Sequence, residues 1–233
     1  MQTGKLYLIP LPISEGNLRS LSEEVRLRIP LLQHYFVENI RTARRFIKSI
    51  HPDAVIDTIQ FSIVNNKETT DVALLKTWLR QGIDVGIMSE SGCPGIADPG
   101  ADLVACAQQM QAPVIPLVGP SSILLSLMSS GLNGQRFCFY GYLPIKEPER
   151  SKEIKQLEQQ SRKMQQTQLF IETPYRNNTL LADLIKNCSE QTRICVAYDI
   201  TGAQQHIATK TVKQWKGALP HLGKEPCVFL MLA

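Results

Sequence analysis

Short apolar runs alternate with stretches of amphipathic helical pattern through most of the sequence, and this rhythm limits the folds open to the chain more than any other feature. Lys5–Ile9, Tyr35–Val37, Val85–Met88 and Val114–Leu117 read as strands. Asn17–Arg28, Thr42–Ile50, Val72–Arg80 and Ser122–Ser129 read as helices. Strand, helix and strand in turn predict a mostly parallel sheet with helices on both faces.

The second half has a different texture. Phe137–Tyr140, Leu169–Glu172, Ile194–Tyr198, His206–Thr209 and Cys227–Leu232 read as strands, several with short links that favour antiparallel or mixed pairing. Glu149–Met164 is a very polar helix with Ile154 and Leu157 as its clear core contacts, and Asn178–Lys186 is a further helix. The expected architecture is two α/β domains, residues 1–120 with a mostly parallel sheet and 121–233 with a mixed one, the joint falling between about Gly119 and Leu132.

Bulk properties exclude several classes. The net charge of +4 permits an anionic partner without requiring one. Six cysteines stand apart from one another and from the four histidines, which predicts reduced thiols and no zinc site. The apolar stretch at residues 103–135 is broken by Pro113, Pro116, Gly119 and Pro120, and Met1–Pro12 lacks a signal-peptide pattern, so neither a membrane span nor a leader is expected. A cytoplasmic location follows.

Ligands of open α/β sheets bind beyond the carboxyl ends of the strands. After Val85–Met88 comes Ser89-Glu90-Ser91-Gly92-Cys93-Pro94-Gly95-Ile96-Ala97-Asp98-Pro99-Gly100, whose glycines and prolines force a compact loop with exposed backbone groups. After Val114–Leu117 comes Val118-Gly119-Pro120-Ser121-Ser122, with Ser121 or Ser122 placed to cap the next helix. Each loop alone reads as a tight turn; two on successive strand ends point to a shared pocket. The dinucleotide fingerprint, the P-loop and the hydrolase elbow are all absent.

Ser89–Gly100 resembles the S-D-A-G-T-P-G-I-S-D-P-G stretch of the ribosomal-RNA ribose methylases within the tetrapyrrole-methylase superfamily. Pro116–Ser122 is similar to that family's P-x-P-G-P-S-A, and Ser129-Ser130-Gly131-Leu132 to its S-G-L. Phe137–Lys146 resembles F-x-F-x-G-F-L-P-x-K, Phe170–Arg176 resembles F-Y-E-S-P-H-R, and Ala197-Tyr198-Asp199-Ile200-Thr201 resembles A-R-E-L-T. The six motifs occur in the family's order.

The resemblance implies a homodimeric enzyme, free of metal, that binds S-adenosylmethionine in a cleft between its two domains and methylates a ribose 2′-hydroxyl of ribosomal RNA, in the RNA itself or the small ribosomal subunit. Carried over residue by residue, it implies cofactor contacts from Ile13, Glu90, Cys93, Ser121, Ser122, Ile171, Glu172, Ala197 and Tyr198. It implies Glu38 and Arg41 as the catalytic pair on the acceptor side.

The chain departs from the family pattern on that side. The family's A-E-D-T-R-H-T is Val37-Glu38-Asn39-Ile40-Arg41-Thr42-Ala43 here, its H-N-E is Asn65-Asn66-Lys67, and its P-I-G-N-L gains two residues in Pro12-Ile13-Ser14-Glu15-Gly16-Asn17-Leu18. A small-molecule methylase of the tetrapyrrole type and a cofactor-binding homologue without catalysis therefore stay open. Arg41, Arg44, Arg45 and Lys48 suit a solvated helix face and an RNA-phosphate contact equally. Lys152, Lys155, Arg162 and Lys163, interleaved with Glu153 and Glu158, read as solvated surface. Glu172 and Asp199 read equally as loop braces and as catalysts, Tyr175-Arg176 as a packing pair at a helix start ahead of a substrate contact, and Cys93 as a neutral filler.

Overall fold

A computed structural model describes residues 3–64 and 71–233; Asn65-Asn66-Lys67 lies outside the described residues. The chain divides into two compact units, Met1–Ser121 and Ser122–Ala233.

The first unit is built on β1 (Leu6–Leu8), β2 (His34–Val37), β3 (Gln60–Ile63), β4 (Val85–Met88) and β5 (Val114–Pro116), ordered β3-β2-β4-β1-β5. All four pairings are parallel. Side chains of consecutive strand residues point to opposite faces, so each strand feeds two cores. Tyr7, Tyr35, Val37 and Met88 pack with Val25 of α1 (Glu23–Arg28) and Phe46 and Ile47 of α2 (Ile40–Ile50). Leu6, Phe36, Val85 and Ile87 pack with Leu75, Trp78 and Leu79 of α3 (Val72–Arg80) and Leu103 and Cys106 of α4 (Ala101–Gln109). Each such buried side chain contributes roughly 1.5–3 kcal/mol. The two-sided covering expected from the alternating pattern is present.

The expected helix Asn17–Arg28 is shorter. A 3-10 turn at Leu18–Ser20 precedes extended Leu21 and Ser22, and α1 begins only at Glu23. Ser22 is at the N-cap with Glu23 and Glu24 in the first turn, where carboxylates favour the helix dipole. The edge strand β3 shows only the four-residue alternation Gln60-Phe61-Ser62-Ile63, too short to stand out in the sequence.

The second unit holds β6 (Phe137–Tyr142), β7 (Thr167–Glu172), β8 (Arg193–Tyr198), β9 (His206–Thr211) and β10 (Cys227–Leu232), ordered β6-β7-β10-β8-β9. Only β6 and β7 run parallel. The main core joins Phe170, Val196 and Phe229 to Ile154 and Leu157 of α6 (Glu149–Met164), Leu180 and Leu184 of α7 (Asn177–Asn187) and Trp215 of α8 (Val212–Gly217). The helix α5 (Ser122–Ser130) packs on β8, β9 and β10.

Two readings of this half change. Glu158 is not part of a solvated face: it is buried, accepts from Ser189 N at 2.7 Å and from the Thr192 hydroxyl, and so pins the turn before β8. Tyr175 does pair with Arg176 ahead of α7, but the ring is 76% exposed and so is not part of the core.

Candidate active site

The five parallel strands of the first unit end on one edge, and the loops after β1, β2, β4 and β5 are tied together there. Beyond β1, Leu11 and Gly92 exchange backbone hydrogen bonds of 2.9 and 3.1 Å, joining the β1 loop to the loop after β4. Gly92 sits at φ +67°, a left-handed conformation that glycine adopts without strain. The Ser91 hydroxyl donates to Ile13 O at 3.3 Å, and the Cys93 thiol donates to Pro120 O at 3.4 Å. A Cβ on Gly119 would stand 2.2 Å from Pro10 Cγ, so only glycine lets the β5 loop approach the β1 loop this closely. The strand ends carrying the two glycine-rich loops are not neighbours, as their succession in sequence suggested; β1 lies between β4 and β5, and its loop is the bridge.

A cavity of about 400 Å³ opens beside these loops, lined by Leu11, Ile13, Glu15, Thr42, Phe46 and Glu90 among others. Its floor is apolar and its rim is polar, a common form for small-ligand sites. Glu15, one of the two extra loop residues, reaches across to Arg45 at 3.1 Å.

Carboxylates collect on the same edge. Glu38 follows β2 and accepts from Glu90 N at 3.2 Å, while Glu90 accepts from the Thr42 hydroxyl at 3.1 Å. Burial raises the Glu38 pKa; the Glu90 amide opposes this and the Glu90 charge adds to it. Asp98, in the glycine-rich loop, is pushed up to about 6 by burial and by the Glu38 charge, against the Ser89 hydroxyl, with the Glu90 charge adding. Asp98 lies within the Ser89–Gly100 loop but is not among the residues that the resemblance marks. Its signal is spacing: it is held in a loop that folds back onto the end of its own strand.

Asn39, which stands where the family has an acid, caps α2 by accepting from Arg41 N at 2.9 Å and Thr42 N at 3.3 Å. An Asp would do the same, so the departure leaves the local fold intact. The Arg41 side chain is exposed and has no partner among the described residues. Further along α2, the Arg44 guanidinium lies 5.8 Å from the Phe61 ring centroid and Lys48 donates to Pro52 O at 2.7 Å. Burial raises the Cys93 pKa, so its thiol stays neutral and serves as a packing and hydrogen-bonding group.

Ser121 ends the first unit and Ser122 opens α5 in the second. In the second unit, Ile171, Glu172, Ala197 and Tyr198 lie at or near the ends of β7 and β8. Ala197 is fully buried, with Val228 and Ile207 as its partners on the two neighbouring strands. The Tyr198 hydroxyl accepts from Glu225 N at 3.3 Å. Glu172 has a side chain only 1% exposed; its Oε1 accepts from Arg176 at 2.8 Å and Thr173 N at 2.7 Å, while its Oε2 is buried with no partner among the described residues. Burial pushes its pKa up, but the Arg176 bond and the Thr173 amide outweigh that and leave it below the ordinary value. Asp199 braces a loop by accepting from Gln204 N at 2.7 Å.

The six cysteines are free, and among the described residues no group of His, Cys, Asp and Glu is placed to hold a metal ion. No described helix is long and apolar enough to cross a membrane.

No family model matches the chain. It is 28% identical over 232 residues to the Ribosomal RNA small subunit methyltransferase I of Pasteurella multocida, covering 98% of this chain and 79% of that one. The protein of the same name from Bacillus subtilis is 28% identical over 211 residues, 91% of this chain and 68% of its own. That from Micromonospora olivasterospora is 34% identical over 183 residues, 78% of this chain and 55% of its own. Among solved structures, the methyltransferase CobJ superposes with a TM-score of 0.62 at 17% identity, covering 99% of this chain and 94% of that one. The uroporphyrin-III-C-methyltransferase from Thermus thermophilus superposes with a TM-score of 0.54 at 15% identity, covering 100% and 93%. The chain therefore has the fold of these two methyltransferases. In sequence it is similar, over most of its length, to proteins named Ribosomal RNA small subunit methyltransferase I.

Proposed function

We propose that this chain uses S-adenosylmethionine to methylate a ribose 2′-hydroxyl of ribosomal RNA. The observation that carries the reading is the sequence likeness to the named ribosomal RNA methyltransferases over 98% of the chain.

The residues present fit the cofactor. S-adenosylmethionine supplies a methyl group on a cationic sulfur that leaves as a neutral thioether, and it also carries an ammonium group. Glu38, Glu90 and Asp98 offer negative charge at the strand ends, where no cationic side chain neutralises them among the described residues. In the second unit, the unpartnered Glu172 Oε2 needs a donor, and an amine N–H is of the right kind. Ile13 and Glu90 bring the cavity wall to the cofactor side, and the proposal keeps Cys93, Ser121, Ser122, Ile171, Ala197 and Tyr198 as further contacts.

On the acceptor side, Glu38 sits where a raised pKa suits a group that takes a proton from a ribose hydroxyl near neutral pH. Arg41, uncommitted at the start of α2, stabilises the oxyanion that forms. Most of the acceleration then comes from holding hydroxyl, methyl and sulfur in line. The same reading expects a homodimer in the cytoplasm.

The test is transfer of labelled methyl from S-adenosylmethionine to ribosomal RNA and small subunits from a strain lacking this protein. Label released as a 2′-O-methylated nucleoside supports the reading. Label on a tetrapyrrole and none on RNA replaces it with the small-molecule one.

A further inference from the structure

The second unit carries two strongly exposed aromatic side chains at one sheet edge. Strands β6 and β7 run parallel, so their carboxyl ends meet there, and Tyr142 is the last residue of β6, paired with Ile171. In a regular strand Tyr142 would follow Tyr140 onto the core face. The register shifts between Phe139 and Tyr142, with Gly141 at φ +72°, and Tyr142 is instead 59% exposed. Tyr175 follows β7 in the 3-10 turn Pro174–Arg176. The Arg176 guanidinium lies 5.0 Å from its ring centroid, and Arg176 Nη1 donates to its hydroxyl at 3.2 Å. Arg176 is itself fixed by Glu172 at 2.8 Å.

An arginine stacked on one face of a tyrosine stiffens the ring and leaves the other face to solvent. Because Glu172 already balances Arg176, this edge is poorly suited to phosphate; two rigid aromatic rings are suited to the π-face of a base, which every nucleotide presents. A bent strand end that turns a tyrosine outward forgoes the burial its neighbour Tyr140 obtains, which marks the exposure as a built feature.

We infer that Tyr142 and Tyr175 form a stacking platform for an unpaired base of the RNA substrate, with Arg176 as the rigid backing of Tyr175. This rests on the RNA reading above and names the part of the RNA that the second unit takes.

The probe is a short fluorescein-labelled single-stranded RNA of mixed sequence, titrated with the full chain and followed by anisotropy. Tyr175→Ala should weaken binding roughly tenfold and Tyr142→Ala several-fold, the size expected for one lost base stack. Tyr175→Phe should keep the affinity. The slope of affinity against salt should not change, because no phosphate contact is lost. A 2-aminopurine RNA gives a second reading without relying on the alanine variants: its fluorescence should be quenched by the wild-type chain and not by Tyr175→Leu. Wild-type RNA binding that neither alanine variant alters, with no 2-aminopurine quenching, overturns the platform and leaves the RNA reading standing. Absence of binding to this RNA by the wild-type chain overturns the platform, while the RNA reading is decided separately by the methyl-transfer assay. Alanine variants that change the oligomeric state in light scattering, with unchanged RNA affinity, would assign the surface to a second copy of the chain and also overturn the platform.

Discussion

In the second unit, Asp183 has Arg150 at 2.6 Å and Glu158 has Arg162 at 3.8 Å. At the carboxyl edge of the first sheet, Glu38, Glu90 and Asp98 lie together, and none has an arginine or lysine partner among the described residues. The two regions handle the same chemistry in opposite ways. Under the helices of the second unit, charge is taken out of water and matched, which fixes where α6, α7 and their turns go. At the first edge the charge is left under-matched, and two of the pKa values rise, through burial first and then through the neighbouring carboxylate charges. Charge left unbalanced beside a cavity suits a cationic ligand; charge balanced inside a helix layer is architecture.

The largest expected effect belongs to the matched region. Arg150→Met leaves Asp183 partly buried without its partner and should cost about 3 kcal/mol in denaturant unfolding. A loss well under one kcal/mol would mean that the pair is not holding α6 to α7. Next comes Glu90→Gln, which removes charge from the open edge but keeps an acceptor for Thr42. It should weaken S-adenosylmethionine binding by about 1–3 kcal/mol in calorimetry with no loss of thermal stability. Equal losses in both would put Glu90 in the architectural class.

Asp98→Asn should have a smaller effect, of the opposite sign on stability. The fold raises the Asp98 pKa from 3.8 to about 6, so ionising it in the native state costs stability as pH rises through that window. The variant should melt higher than the wild type above pH 6, and the gain should vanish below about pH 3.8. A gain independent of pH would point to packing. Smallest of all is Glu15→Gln. Its ion pair with Arg45 has side chains 91% and 65% exposed, and such pairs contribute little. Melting should match the wild type; a marked drop would show that the enlarged loop depends on that pair.

The elements with sharp edges in the sequence were legible to the residue. Val72–Arg80 starts after an Asp71 side chain that accepts from Leu74 N, and Val85–Met88 is a fully buried run. What escaped was set by single side chains or by pairing. β3 is a strand because it pairs with β2, not because of its own residues. α8 is announced only by the capping box between Thr211 and Gln214. For the site, the glycines and prolines of residues 89–100 marked the loop, and the family motifs marked Glu38 and Glu90. The rise in the Asp98 pKa, the Asn39 cap and the Glu15–Arg45 pair across the cavity all depend on β1, β2 and β4 ending side by side, which periodicity does not specify.

The central claim is that the under-matched carboxylates of the first unit receive a cationic methyl donor. Calorimetric titration of the chain with S-adenosylmethionine from below to above pH 6 tests it most directly. A bound cation favours ionised Asp98 and lowers its pKa, so affinity should rise as pH climbs through about 6 and level off above it. The pH dependence should flatten in Asp98→Asn. Folded protein that shows no binding at any pH, or binding that strengthens as the carboxylates are protonated, would contradict the claim.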